Sequence, residues 1–230
     1  MKVRTYHTSI ADQVSARVFF DGLLALYDVT GPTLDMFARN GELTVTSYKE
    51  KVSGPLDLWE LGPEHEDALR AFQPRDVRIG CSYMHMEATE NRYEMVVVDT
   101  PQGIHRDGKG HLHAEHFGVV WNIGKLLMPH AVIVLYCNKQ PYNRDTEGSH
   151  GYDEYAEYDF DTWMEKRSEF YGWQATNVPE EAMIEAYRRV LLAQGFKVRG
   201  VHITPCHSDV PGKEPYAFRL GLEVVQEGTS

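Results

Sequence analysis

The run Tyr93-Glu94-Met95-Val96-Val97-Val98-Asp99-Thr100-Pro101-Gln102-Gly103 puts an acid and an amide where proteins of one broad class meet their ligands. Three consecutive valines predict a strand covered on both faces, as in the middle of a parallel sheet. Thr100-Pro101-Gln102-Gly103 breaks that strand into a loop. Open α/β sheets bind ligands just beyond the carboxyl ends of their strands. Asp99 is therefore placed to accept a proton, and Gln102 to hydrogen-bond an amide or a base edge.

A second concentration follows at once. His105, Asp107, His111, His113, Glu115 and His116 fall between Ile104 and Phe117. Such a set has ligand chemistry suited to zinc or iron, yet its spacing matches no closed metal site. A general base or substrate-positioning group at His116 or Glu115 is one alternative. A polar loop, or a helix entry with Glu115 at the positive end of the dipole, is another. His202 and His207 have weaker claims, and His202 reads as a packed strand residue.

The elements that must position these groups alternate along the chain. Ile10 to Leu26 has helical spacing through Ile10, Val14, Val18, Phe19, Leu23 and Leu26. Thr33 to Gly41 reads as a short strand and turn, or as a brief helix closed by Gly41. Leu56 to Leu61 is a strand, Pro63 to Phe72 a helix, and Val77 to Gly80 a strand. Phe117 to Leu127 reads as a helix before a buried strand at Ala131 to Tyr136. Helices over Phe160 to Phe170 and Pro179 to Gln194 precede strands at Phe196 to Ile203 and Tyr216 to Val225. The alternation predicts an α/β fold with a mostly parallel sheet. The strand-turn-strand close, with no helix between, predicts an antiparallel last strand.

At 230 residues with 42% hydrophobic content, one domain over 1–230 is expected. Within it, 1–30 is a helical N-terminal extension, 103–116 a His-rich loop and 138–160 an acidic and aromatic insertion. No apolar run approaches 18 residues, so no membrane partner is expected, and no apolar leader follows Met1, so a cytoplasmic location is expected. Cys81, Cys137 and Cys206 form no CxxC pair, which fits reduced thiols. The formal charge of -11 argues against a protein that clamps long nucleic acid through a basic face. The stretch Tyr152 to Asp161 is a solvated acidic segment or a mimic of a phosphate backbone. Tyr142, Tyr152, Tyr155, Tyr158, Phe160, Trp163, Phe170, Tyr171 and Trp173 supply core packing, a stacking wall over a planar substrate, or a homodimer contact.

Taken in order, these pieces resemble the class I S-adenosylmethionine-dependent methyltransferases, over roughly residues 15 to 225. Thr33-Leu34-Asp35-Met36-Phe37-Ala38-Arg39-Asn40-Gly41 is similar to the family's first strand and glycine-rich turn. Trp59-Glu60 is similar to its second strand with the ribose-binding acid. Val77-Arg78-Ile79-Gly80-Cys81-Ser82 is similar to the third strand and its adenine-side loop. Val96 to Gln102 is similar to the fourth strand and catalytic loop, and Leu126 to Val134 to the fifth strand with its preceding helix.

The resemblance implies a Rossmann-like, doubly wound, seven-stranded sheet and S-adenosylmethionine as cofactor. It assigns Asp35, Phe37, Gly41, Glu60, Leu61 and Ser82 to the cofactor, and Asp99, Pro101, Gln102 and His116 to catalysis, with no metal ligand. Glu60 lies 19 residues past Gly41 (60 minus 41), in keeping with the spacing of about 20 that places an acid on a ribose. An ordinary strand-end acid at Glu60 and a turn aspartate at Asp35 remain the plain alternatives.

Two departures from the family pattern are visible. Arg39 stands where the turn usually has a glycine, so its side chain points outward, pairs with the cofactor carboxylate, or blocks the site. Glu42 to Tyr48 should be helical in the family, yet its β-branched residues favour a strand. At the fourth strand, Asp99-Thr100-Pro101-Gln102 keeps an acid and one proline but lacks the aromatic that stacks on a base. The acceptor is then a nucleobase amino group or a small molecule. Two other functions fit the same residues: a non-catalytic binding protein whose pocket Arg39 closes, and a metal-assisted enzyme built on His111, His113 and His116.

Overall fold

The computed structural model describes residues 10–99, 104–139, 156–173, 178–206 and 217–228. Its first element is α1 (Ile10–Leu26), with the bounds that periodicity predicts. The buried face keeps Phe19 and Leu23 of the expected one and differs in the rest. Ala16, Phe19, Phe20 and Leu23 are fully buried at i, i+3, i+4 and i+7, whereas Val14 and Val18 are more than half exposed.

A seven-stranded sheet forms the centre. Its strands are β1 (Thr33–Asp35), β2 (Leu56–Glu60), β3 (Asp76–Ile79), β4 (Tyr93–Val98), β7 (Leu127–Asn138), β8 (Phe196–Cys206) and β9 (Ala217–Gln226). They lie in the order β3-β2-β1-β4-β7-β9-β8. Every neighbouring pair from β3 to β7 is parallel, and β9 runs antiparallel to both β7 and β8. This is the expected doubly wound sheet with an antiparallel last strand. β1 sits between β2 and β4, so connections leave it in both directions and their carboxyl ends open a crevice.

The two faces of the sheet bury separate cores. On one, Met95, Val97, Val132 and Val134 meet Phe19, Phe20 and Leu23 of α1 and Val45 and Tyr48 of α2 (Val45–Tyr48). On the other, Val96, Val98, Ile133 and Leu135 meet α5 (Phe117–Val120) and α7 (Glu180–Leu192). Alternate valines of β4 thus serve opposite cores, which is why the strand has no polar face. α3 (Glu66–Arg70) precedes β3, α4 (Ser82–Ala88) follows it, and α6 (Ala156–Tyr171) precedes α7.

Local propensity loses in three places. Val45–Tyr48 is helical despite its β-branched residues, because Val45, Ser47 and Tyr48 are buried against α1. The helix expected over Phe117 to Leu127 is broken into α5 and a 3-10 turn at Ile123–Leu126. The fifth parallel strand, β7, begins at Leu127 and carries Pro129 within it, where a preceding helix was expected. The His-rich segment forms a hairpin of its own, β5 (Ile104–Arg106) paired with β6 (Leu112–Ala114). Among the described residues, no helix is long and apolar enough to cross a membrane.

Candidate functional site

The turn after β1 is held from below and from the side. Asp35 is fully buried. Its Oδ2 accepts the Thr44 hydroxyl at 2.9 Å and the Tyr48 hydroxyl at 3.2 Å, and its Oδ1 accepts the Phe37 N–H at 3.3 Å. Burial drives its pKa up to about 7 against those hydrogen bonds, and the nearby charge of Asp99 adds to the rise. Arg39 and Gly41 both take positive φ, 49° and 79°. The backbone therefore keeps a left-handed step at the position where a glycine is missing. A Cβ on Gly41 would stand 2.3 Å from the Phe72 ring, so only glycine fits there.

Glu60 closes the turn from β2. Its Oε2 accepts the Arg39 N–H at 2.7 Å and its Oε1 accepts the Gly62 N–H at 2.9 Å. Each oxygen keeps a lone pair for a ligand hydroxyl. Leu61 beside it is 68% exposed. From the β3 side, the buried Ser82 donates to the Met36 carbonyl at 2.5 Å. Trp59 and His85 meet edge-on with centroids 5.7 Å apart, and Trp59 Nε1 and His85 Nε2 are buried without hydrogen-bond partners. Phe37, half-buried, leans edge-on toward Tyr83 at 6.4 Å. Asp35, Phe37, Gly41, Glu60, Leu61 and Ser82 thus gather at the carboxyl ends of β1, β2 and β3.

Beyond them lies a pocket whose walls include Phe20, Thr44, Asp99, Tyr136 and Arg219. Asp99 follows β4 directly and is half-buried. Burial raises its pKa, while the charges of Arg219 and Arg39 pull it back. Thr44 is shared, lining the pocket while donating to Asp35. Pro101 and Gln102 lie outside the described residues.

His116 is not brought to this pocket's wall. It is fully buried before α5, its Nε2 2.5 Å from the Tyr187 hydroxyl. That hydroxyl also meets the Tyr171 hydroxyl at 3.0 Å and Cys137 Sγ at 3.4 Å. Burial, with help from Arg167, lowers the His116 pKa to about 3. Its neighbour Glu115, at φ 45°, forms a fully buried ion pair with Arg167 and accepts the Trp163 indole N–H at 3.0 Å. Arg167 also donates to the Asn138 carbonyl at 3.2 Å. This network ties α6 to the end of β7.

The rest of the His-rich segment turns inward on an acid. Asp107 Oδ2 lies 3.0 Å from His111 Nδ1 and 3.1 Å from His113 Nε2. Burial opposes its ionisation, but hydrogen bonds from His113 and from the His111 and Lys109 N–H groups prevail and hold its pKa well below the carboxylate range. His113 stacks on Tyr83 at 3.9 Å, and the Tyr83 hydroxyl meets His105 Nε2 at 2.9 Å. Among the described residues, no group of three or more His, Cys, Asp or Glu is arranged to hold a metal ion. His202 packs against Phe19 at 5.3 Å, and His207 lies outside the described residues.

Sequence reading missed Arg219 and Arg167. Arg219 had a signal: it is the one charged residue in the apolar run Ala217 to Leu222. Arg167 had none, since it follows Lys166 in a helix rich in charge.

No family model and no curated protein matches the chain. Solved structures do match. TYW2 of M. jannaschii, in complex with AdoMet, superposes at TM-score 0.53 with 10% identity, over 96% of this chain and 79% of that one. Trm5b of Pyrococcus abyssi gives 0.55 at 13% identity, over 98% of this chain and 52% of that one, so this chain spans about half its length. The 1,6-didemethyltoxoflavin-N1-methyltransferase of Burkholderia thailandensis, with bound 1,6-didemethyltoxoflavin and S-adenosylhomocysteine, gives 0.53 at 14% identity, over 94% of this chain and 80% of that one.

Proposed function

We propose, on the class I S-adenosylmethionine-dependent methyltransferase fold that the chain shares with these structures, that it binds S-adenosylmethionine and transfers the methyl group to a small acceptor. The observation that carries this reading is the turn after β1. It keeps its left-handed backbone at Arg39 and Gly41, and Glu60 is drawn against it from β2.

The residues present fit the cofactor by the chemistry of their donor set. Glu60 has lone pairs to accept two ribose hydroxyls. Trp59 Nε1 and His85 Nε2, a donor and a nitrogen that serves as acceptor in one tautomer, are unpartnered on the adenine side. Gly41, Phe37, Leu61 and Ser82 shape the walls, and Asp35 holds the turn through Thr44 and Tyr48. When bound, S-adenosylmethionine supplies an electrophilic methyl group.

Asp99 accepts the proton of the attacking acceptor. Its raised pKa makes the carboxylate a better base than an exposed aspartate. Thr44, Tyr136 and the valine floor align the acceptor for an in-line displacement, where positioning supplies much of the rate. The charge of -11 favours a small molecule over a nucleic acid.

A second reading, a non-catalytic binding protein, draws on Arg39, which stands in the turn where the family usually has a glycine. One experiment separates the two: calorimetric titration of S-adenosylmethionine and S-adenosylhomocysteine. Micromolar binding of both supports methyl transfer. Binding of neither overturns it.

A further inference from the structure

We propose that Arg219 recognises a carboxylate on the methyl acceptor, which makes the acceptor a small carboxylic acid with an apolar body. This deepens the methyl-transfer reading and rests on it.

Arg219 is 2% exposed. Its Nη1 donates to Ser15 Oγ at 3.0 Å and to Cys206 Sγ at 3.3 Å, and its face lies 5.4 Å from the Tyr136 ring. Its Nη2 is buried with no hydrogen-bond partner. A buried guanidinium is ordinarily paired with a carboxylate, and an unsatisfied buried donor in a native fold calls for an explanation. The direct contacts here are a hydroxyl, a thiol and a ring, none of them a carboxylate, and the charge of Asp99 acts on Arg219 from across the pocket. Arg219 lines the pocket that also holds Asp99.

The register sets the geometry. Val98 pairs with Leu135, and Tyr136 pairs with Arg219, so Asp99, one residue past the last paired residue of β4, continues the row that Tyr136 and Arg219 form across β7 and β9. Two strand spacings separate the ends of that row, about 10 Å at 4.7–4.9 Å per strand. A small acid spans it, with its carboxylate on Arg219 and its methylated atom toward Asp99. Phe20, Val134 and Leu135 supply the apolar wall for its body. Guanidinium is the side chain whose planar fork matches a carboxylate. The same chemistry is offered by the amino-acid end of the cofactor, and the test separates the two sources.

The probes are benzoate and its neutral counterpart benzamide, titrated with and without saturating S-adenosylhomocysteine into the wild-type chain, Arg219→Gln and Arg219→Lys. Benzoate should bind at least tenfold tighter than benzamide to the wild type. Arg219→Gln should erase that preference, and Arg219→Lys should keep part of it, while S-adenosylhomocysteine affinity stays within twofold. Equal binding of the two probes, or no binding of benzoate, overturns the proposal on the wild type alone, whatever the variants do. Loss of S-adenosylhomocysteine affinity in Arg219→Gln with 5′-methylthioadenosine affinity intact assigns Arg219 to the cofactor's carboxylate and overturns it too. Failure of the wild type to bind S-adenosylhomocysteine, with benzoate preferred over benzamide, removes the methyl-transfer reading instead.

Discussion

Glu60 Oε2 accepts the backbone N–H of Arg39 at 2.7 Å, and that bond, beside the Ala38 N–H donated to the Trp59 carbonyl at 3.0 Å, joins the end of β2 to the turn after β1. Replacing Glu60 with Ala removes both this anchor and the proposed ribose acceptor. S-adenosylhomocysteine affinity should fall by about 1–3 kcal/mol, the range for a lost buried hydrogen-bond partner. Glu60→Gln keeps one acceptor oxygen and should fall less. Calorimetry on both variants checks the order, and unchanged affinity in Glu60→Ala would remove the residue from the site.

Arg39 holds φ 49° without being glycine. The left-handed region costs an L-residue about 1 kcal/mol or more. Arg39→Gly should therefore leave global stability unchanged or raise it by up to about 1 kcal/mol, offset in part by the larger entropy of the unfolded glycine. Urea unfolding measures it. A loss of more than about 1 kcal/mol would show that the Arg39 side chain, rather than its backbone, holds the turn.

Two buried groups tilt stability with pH in opposite senses. The Asp35 pKa is raised to about 7, so the folded state binds its proton more tightly than the unfolded chain. That contribution is complete below the unfolded aspartate pKa of about 4 and is lost as pH rises to about 7. The His116 pKa is lowered to about 3. Its contribution is complete above the unfolded histidine pKa of about 6.5 and is lost as pH falls toward 3. Asp35→Asn should thus be stabilised relative to the wild type increasingly from pH 4 to 7, by a few kcal/mol at most at 1.36 kcal/mol per pKa unit. Melting temperatures across that range test it, and a constant offset would refute it.

Glu115 and Arg167 are both fully buried and paired. Arg167→Met strands a carboxylate and should cost about 3–5 kcal/mol. Glu115→Gln with Arg167→Met removes both charges and should recover more than half of that loss. Chemical unfolding of the two single variants and the double gives the cycle. Additive losses would mean that the pair is not coupled.

The parts legible in the sequence were those where one period governs a whole element. α1 appeared with its bounds because its spacing is helical from Ile10 to Leu26, and β4 because its valines serve two cores. Side choice was less visible: Val14 and Val18 fit the period as well as Ala16 and Phe20, and only the sheet decides which pair is buried. The conflict at Glu42 to Tyr48 between family helix and local strand preference could not be resolved from the sequence, because burial against Phe20 is what outweighs a few tenths of a kcal/mol of strand preference. The strand-end residues Asp35, Glu60 and Ser82 were named through the family resemblance, and Asp99 through its position after a buried strand. Arg219 was missed because its role depends on register with Tyr136, which no local pattern encodes.

The placement of β9 has a kinetic consequence. β8 precedes β9 in the chain, yet in the sheet it pairs with β9 alone, which separates it from β7. β8 cannot join the sheet until a strand encoded after it has inserted. Closing that edge requires contacts between residues far apart in sequence, such as Leu135 with Leu220, and such contacts are slow to form. The same insertion delivers Arg219 to the row shared with Asp99. Maturation of the pocket and completion of the sheet are then one event, so a chain arrested before β9 docks would hold a formed turn after β1 and no acceptor wall. In refolding, affinity for a cofactor should return ahead of turnover.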